Sequence, residues 1–138
     1  MRARTFTAAV LLVGVTLMAG CGKSSGTSPA SAAPDLAGKT FLDETKAALV
    51  QVNADDNNFD PQYVTVKVGT TVTFKNRGRN SHNVVPVTSG SFKAIETDAF
   101  KPGTSVERSF TKAGLYSFYC SLHGTATKGM NGTIKVVG

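Results

Sequence analysis

Residues 119–130 read YCSLHGTATKGM and place a cysteine, a histidine and a methionine in the eleven positions from Cys120 to Met130. The only other histidine in the chain is His82, and the only other methionines are Met1 and Met18. Two imidazoles, a thiolate and a thioether form a donor set with defined chemistry. Thiolate and thioether are soft and suit Cu(I), while imidazole suits both copper oxidation states. The set therefore fits one trigonal His2Cys copper ion with a long, weak axial methionine, the blue (type 1) arrangement that passes single electrons. Zinc is served less well, because a thioether is a poor zinc ligand and structural zinc sites take more thiolates. Singly, each residue has an ordinary reading: a buried structural cysteine, a loop histidine, a core-filling methionine. A Cys–His nucleophile pair would use the same residues, but no helix N-terminus or orienting partner is evident beside Cys120 to activate it.

His82 is distant in sequence from the other three, so a fold must gather the four. From about Ala47 onward the chain runs in short alternating stretches broken by turn residues. Val50 and Val52 alternate with Leu49 and Gln51, and Val64, Val66 and Val68 with Tyr63, Thr65 and Lys67. Gly69-Thr70 turns into Val72 and Phe74, and Lys101-Pro102-Gly103 turns into Val106 to Phe110. After Lys112-Ala113-Gly114, the residues Tyr116, Phe118 and Cys120 share one face, with Leu115, Ser117 and Tyr119 on the other. Gly132, Ile134 and Val136 face in along the last stretch, and Thr133, Lys135 and Val137 face out. The pattern predicts an all-β fold, an antiparallel Greek-key β-sandwich of about seven to eight strands, with no long amphipathic helix. Cys120 then ends a strand pointing inward, Met130 stands just before the last strand, and Gly124 and Gly129 bound a loop able to fold back over a metal. Arg108 shares parity with Val106 and Phe110, which predicts an edge strand or a bulge there.

The N-terminus has a different composition. Arg2 and Arg4 precede an apolar run from Phe6 to Ala19, and no acidic residue occurs before Asp35. The run is short for a membrane span and suits an export signal, residues 1–20. Leu17-Met18-Ala19-Gly20-Cys21 resembles the lipobox of bacterial lipoproteins, in which cleavage precedes the cysteine and a diacylglyceryl group is added to its sulfur. An ordinary signal peptide, or a disulfide between Cys21 and Cys120, is the alternative. Residues 22–39, GKSSGTSPASAAPDLAGK, lack apolar periodicity and read as flexible tether, with a root-mean-square reach of roughly 25 Å. Residues 41–46 fit either a short turn of helix or more tether, so the domain boundaries are 21–46 for the anchored tether and 47–138 for the sandwich. Losing Arg2 and Arg4 leaves 13 basic against 9 acidic residues, a modest excess without clustering. That excludes a nucleic-acid binder and is compatible with attraction to an anionic surface or an acidic partner.

YCSLHGTATKGMNGTIKVVG resembles the end of the small cupredoxins, the plastocyanin and pseudoazurin type. Their ligand loop runs Cys, two residues, His, a Gly-rich run and Met, followed by a Gly-x-Val/Ile-x-Val strand. FDPQYVTVKVGTTVTFKNRGRNSHNVV is similar to the first half of that family through Phe59, Pro61, Val66, Gly69, Val72, Phe74 and Asn76, ending in His82-Asn83-Val84. The likeness spans about Ala47 to Gly138. It implies one copper held by His82, Cys120, His123 and Met130, with Asn83 supporting the ligand loop and donating from its backbone to the cysteine sulfur. It also implies that electrons pass at His123, near Leu122 and Gly124; Tyr119 reads equally as a second path, which the family's tyrosine beside the cysteine suggests, or as a sheet-surface aromatic. Six residues separate His123 from Met130, where plastocyanin-like loops often have four, so the axial distance is open. Leu122 stands where plastocyanins usually carry proline, which leaves the loop less preset, and plastocyanin's acidic docking patch has no counterpart.

The reading predicts a non-enzymatic, monomeric electron carrier, lipid-anchored through Cys21 on the extracytoplasmic side and cycling Cu(I)/Cu(II) between redox protein partners. Both histidines are used in one site, which leaves none for a second, catalytic copper. The rivals are a copper scavenging or delivery protein of the envelope and a surface domain without metal function.

Overall fold

A computed structural model describes residues 32–138; the signal segment and Cys21 lie outside the described residues. The described chain forms β1 (Leu42–Asp43), β2 (Leu49–Ala54), β3 (Phe59–Asp60), β4 (Tyr63–Lys67), β5 (Thr71–Asn76), β6 (Val85–Pro86), β7 (Ser105–Ser109), β8 (Gly114–Gly124) and β9 (Gly129–Val137). A 3-10 turn at Thr97–Ala99 is the one helical element among them. Two sheets result, ordered β1-β4-β9-β8-β6 and β3-β2-β5-β7. The all-β sandwich is as expected, with two differences. There are nine strands, because β1, β3 and β6 have two residues each and leave no alternation to read. The sheets are also mixed: β1–β4, β2–β5 and β4–β9 are parallel, and the other pairs are antiparallel. Alternation reveals which face is buried and carries no information about strand direction.

The inward residues fill the space between the sheets. Val50, Val52, Val64, Val66, Val72, Phe74, Phe118, Ile134 and Val136 are all buried. The Phe118 ring meets Phe59 and Phe74 edge-on at centroid distances of 5.0 and 5.3 Å, a geometry in which ring edges face π clouds. Phe118 lies two residues before Cys120, so this aromatic cluster underlies the Cys120 end of β8. Arg108 is on an edge strand, as its parity predicted. It turns its guanidinium out to bind backbone, with Nε donating to the Lys93 carbonyl at 2.6 Å and Nη2 to that of Ala94 at 2.8 Å.

Outer-face Thr133 is buried, contrary to its parity, with its hydroxyl paired to Ser117 at 2.9 Å. Residues 41–46, ambiguous in sequence, are neither helix nor plain tether. Leu42 and Asp43 pair with Val64 and Thr65, and Phe41 packs on Tyr63 at 5.4 Å between centroids. Because β1 runs parallel to β4, and β4 parallel to β9, the chain before Leu42 approaches from the end of the sheet where β9 begins. Ala33, Pro34 and Asp35 there share a cavity with Thr127 and Asn131.

Candidate metal centre

The strand β8 carries two ligand candidates because it is interrupted. Its ladder with β9 is regular to Tyr119 opposite Asn131 and resumes at Gly124 opposite Gly129, with a register shift between. The extra residues on the β8 side bulge out and bring His123 back over Cys120, whose inward turn already follows from the alternation along β8. Gly124 and Gly129 close the hairpin. A Cβ on Gly124 would collide with the Met130 amide, and one on Gly129, at φ +71°, would stand 2.6 Å from the His123 carbonyl oxygen. Thr125 to Lys128 then form a tip beyond this pair, in which Thr125 N donates to the Lys128 carbonyl at 2.8 Å. The longer interval between His123 and Met130 is thus taken up outside the site. Met130 itself is buried on the β9 side of the closing pair.

His82 arrives on the loop after β5, shaped by an asparagine with no role assigned from sequence. Buried Asn76 donates from Nδ2 to the carbonyls of Asn80 at 2.9 Å and Phe100 at 2.8 Å, and its Oδ1 accepts from Gly78 N at 2.9 Å. His82 N then donates to the Phe100 carbonyl at 3.1 Å. The signal for Asn76 was an asparagine at a strand end before a Gly-containing loop, where its amide substitutes for backbone partners. Arg77–Asp55 and Arg79–Asp56 ion pairs join this loop to the β2–β3 connection at 3.3 and 2.7 Å. Both are largely solvated and worth little in stability. Gly78 lies against the imidazole, and a Cβ there would be 3.1 Å from His82 Nε2.

The sidechains so delivered converge. His82 Nδ1 is 3.1 Å from His123 Nδ1, and Cys120 Sγ is 3.7 Å from His82 Nδ1 and 3.5 Å from His123 Nδ1. A trigonal ion bonded at about 2.0 Å to each imidazole and about 2.3 Å to a thiolate would hold its donors roughly 3.5 Å apart. The observed triangle has that size, slightly contracted between the nitrogens. The same nitrogen of each ring faces the centre, and His82 Nε2, on the far side of its ring, is buried without a hydrogen-bond partner. His82 and Cys120 have no exposed surface and His123 is half-buried. Burial first, and the neighbouring His123 second, hold the His82 pKa below 6.5, against the opposing pull of Asp56 and Asp55. A neutral ring keeps a lone pair for a metal.

Asn83 supports the loop through its sidechain. Its Oδ1 accepts from Ser121 N at 2.8 Å and its Nδ2 donates to Ser121 Oγ at 2.8 Å, so residues beside His82 and beside Cys120 are tied directly. Tyr119 is half-buried on the outer face of β8, opposite Val85, and Leu122 next to His123 is 52% exposed. Cys120 is a free cysteine whose sulfur is aimed at the two rings.

Known proteins share this fold. The profile of the "Copper binding proteins, plastocyanin/azurin family" matches residues 46–137. A plastocyanin from Scenedesmus fuscus is 38% identical over 96 residues, which cover 63% of this chain and 96% of the alga's protein. The crystal structure of amicyanin from Paracoccus versutus superposes with a TM-score of 0.54 at 26% identity, covering 66% of this chain and 83% of amicyanin. A copper-containing nitrite reductase from Thermus scotoductus superposes with a TM-score of 0.55 at 28% identity over 64% of this chain, which spans only 22% of that enzyme. The metal these donors suit is copper, and the chain belongs to the plastocyanin/azurin family of copper-binding proteins.

Proposed function

We propose that the protein is a one-electron carrier with a single type 1 copper, held by His82 Nδ1, Cys120 Sγ and His123 Nδ1, with Met130 as the axial thioether. The observation that carries the reading is the convergence of His82, Cys120 and His123, whose candidate donor atoms all lie within 4.8 Å of one another. Bound copper would supply the Cu(I)/Cu(II) couple. The chain's part is to hold the donors still. Asn76 fixes the His82 loop, Asn83 fixes the segment after Cys120, and the Gly124–Gly129 pair fixes the interval to Met130. Donors that cannot relax toward the preference of either oxidation state keep the rearrangement on electron transfer small. Cys120 has no exposed surface, which keeps water from the sulfur.

His123, the partly exposed member of the donor triad and next to exposed Leu122, is the proposed point of electron entry and exit, with Tyr119 as a second path. Both histidines are committed to one centre, which supports a carrier over an enzyme. The mature chain is proposed to be lipidated at Cys21, tethered on the extracytoplasmic side, monomeric, and to work between redox protein partners. Residues 33–35, near the ligand hairpin, support a tether that leaves the domain at its copper end.

The test is spectroscopic. Residues 22–138 loaded with Cu(II) are expected to show an intense visible thiolate-to-copper band and a small parallel hyperfine splitting in EPR, both lost in Cys120→Ser. Weak colour with ordinary tetragonal copper would favour the scavenging or delivery reading instead, and copper passing to an apo-acceptor within minutes would support that rival directly.

A further inference from the structure

Asn131 follows Met130 and is the first residue of β9, after the hairpin, to regain regular register with β8. It is 8% exposed, and both ends of its amide are engaged. Oδ1 accepts from Gln62 Nε2 at 3.0 Å, and Nδ2 faces the Thr125 carbonyl at 3.5 Å, the weaker of the two. Two residues on, Thr133 N donates to the Gln62 carbonyl at 2.9 Å. One buried amide therefore joins the start of β9, the tip of the ligand hairpin and the residue leading into β4.

This amide stands to Met130 as Asn83 stands to Cys120. Asn83 holds the β8 side of the bulge through Ser121. On the β9 side, the hairpin tip is closed by its own local bonds, from Thr125 N to Lys128 O and from Lys128 N to Thr125 Oγ1. Those bonds shape the tip; the Gly124–Gly129 pairing and buried Ala126 seat it, and Asn131 with Gln62 adds the side-chain link from the start of β9 to the residue before β4. We propose that Asn131, seated by Gln62, is a positioning residue for the copper site, setting how closely the Met130 thioether approaches the metal. The proposal rests on the copper reading above. A buried polar pair that served only to stabilise the hairpin would affect melting and leave the metal's electronic properties unchanged; one that places the axial ligand must alter the Cu(II)/Cu(I) balance, because that balance is tuned by the axial donor.

The experiment uses the copper-loaded mature protein and reads midpoint potential, visible spectrum and thermal midpoint together. Asn131→Val is expected to raise the potential in the same direction as Met130→Leu but by less, with a change in the relative intensities of the charge-transfer bands. Gln62→Met, at an exposed position that tolerates substitution, should shift both in the same sense and by a smaller amount. It reads the same contact if Asn131→Val does not fold. In a Met130→Leu background, Asn131→Val should add no further shift. Unmoved potentials in both single variants, alongside lowered melting, would overturn the proposal, as would a full Asn131→Val shift persisting without Met130. A wild-type protein lacking the type 1 spectrum removes the copper reading and this proposal with it; a blue wild type with unmoved variants overturns the proposal alone.

Discussion

Gly124 and Gly129 face each other across the β8–β9 ladder, and this contact sets His123 and Met130 on either side of one closed hairpin despite six intervening residues. The loop length that left the axial position open in sequence is thereby absorbed by a tip, Thr125 to Lys128, that lies beyond the donors.

Gly129→Ala should break this closure. A left-handed conformation costs a residue with a Cβ about 1–2 kcal/mol, and the added carbon must also displace the His123 carbonyl. We expect a loss above about 2 kcal/mol in urea unfolding, together with an altered visible spectrum. Gly103→Ala is the control: its φ is +83°, but nothing lies within 4 Å of the added carbon. It should cost about 1–2 kcal/mol at most and leave the spectrum unchanged. Equal effects at the two sites would show that the hairpin pair has no special part in the centre.

Met130→Leu should retain copper and colour and raise the reduction potential, because a weak donor to Cu(II) is removed. Each tenfold loss of Cu(II) over Cu(I) affinity raises a one-electron potential by about 59 mV, so a shift of about one to two such steps is expected in a spectroelectrochemical titration. An unmoved potential would mean Met130 is not axial.

Asn83→Ala removes the acceptor of Ser121 N and the donor to Ser121 Oγ at a site 7% exposed. Leaving buried groups unpaired costs about 1–3 kcal/mol, measurable by chemical unfolding of the apo-protein. Because the tie runs from beside His82 to beside Cys120, copper affinity should fall as well. Unaltered affinity with reduced stability would limit Asn83 to a structural role.

The copper-free protein should lose stability as pH falls through 6.5. Burial, then His123, holds His82 below that value in the folded chain. In the window between the lowered value and 6.5, the unfolded chain binds a proton that the folded chain does not, so folding weakens as pH drops. The contribution is complete above 6.5 and is lost by the time pH lies below the folded value. Thermal midpoints of the apo-protein across this window should show the slope, and His82→Gln should flatten it. Copper should steepen the slope and carry it to lower pH, since metal and proton compete for His82 Nδ1 and the loaded folded chain binds fewer protons than the unfolded one.

The donors were legible because they are scarce. With two histidines, one cysteine beyond Cys21 and one methionine beyond the signal segment, their chemistry allowed few combinations, and the alternation of Tyr116, Phe118 and Cys120 already turned the sulfur inward. Arg108 likewise announced an edge strand by breaking parity, and the structure places β7 at an edge. The two-residue strands β1, β3 and β6 were not legible, since pairing of that length leaves no periodicity. Nor were the clamps at Asn76 and Asn131: an asparagine in sequence does not reveal which carbonyls will come within reach of its amide.

Residue types and local alternation thus determined by themselves that this chain makes a sandwich, which faces are buried, and which four sidechains suit one copper ion. Both are properties of single residues and their immediate neighbours. Strand direction, the bulge between Tyr119 and Gly124, and the approach of His82 Nδ1 to 3.1 Å from His123 Nδ1 were decided only by the tertiary structure. Each depends on hydrogen bonds between segments distant in sequence. Such bonds are selected when the whole core closes, and no local stretch encodes them.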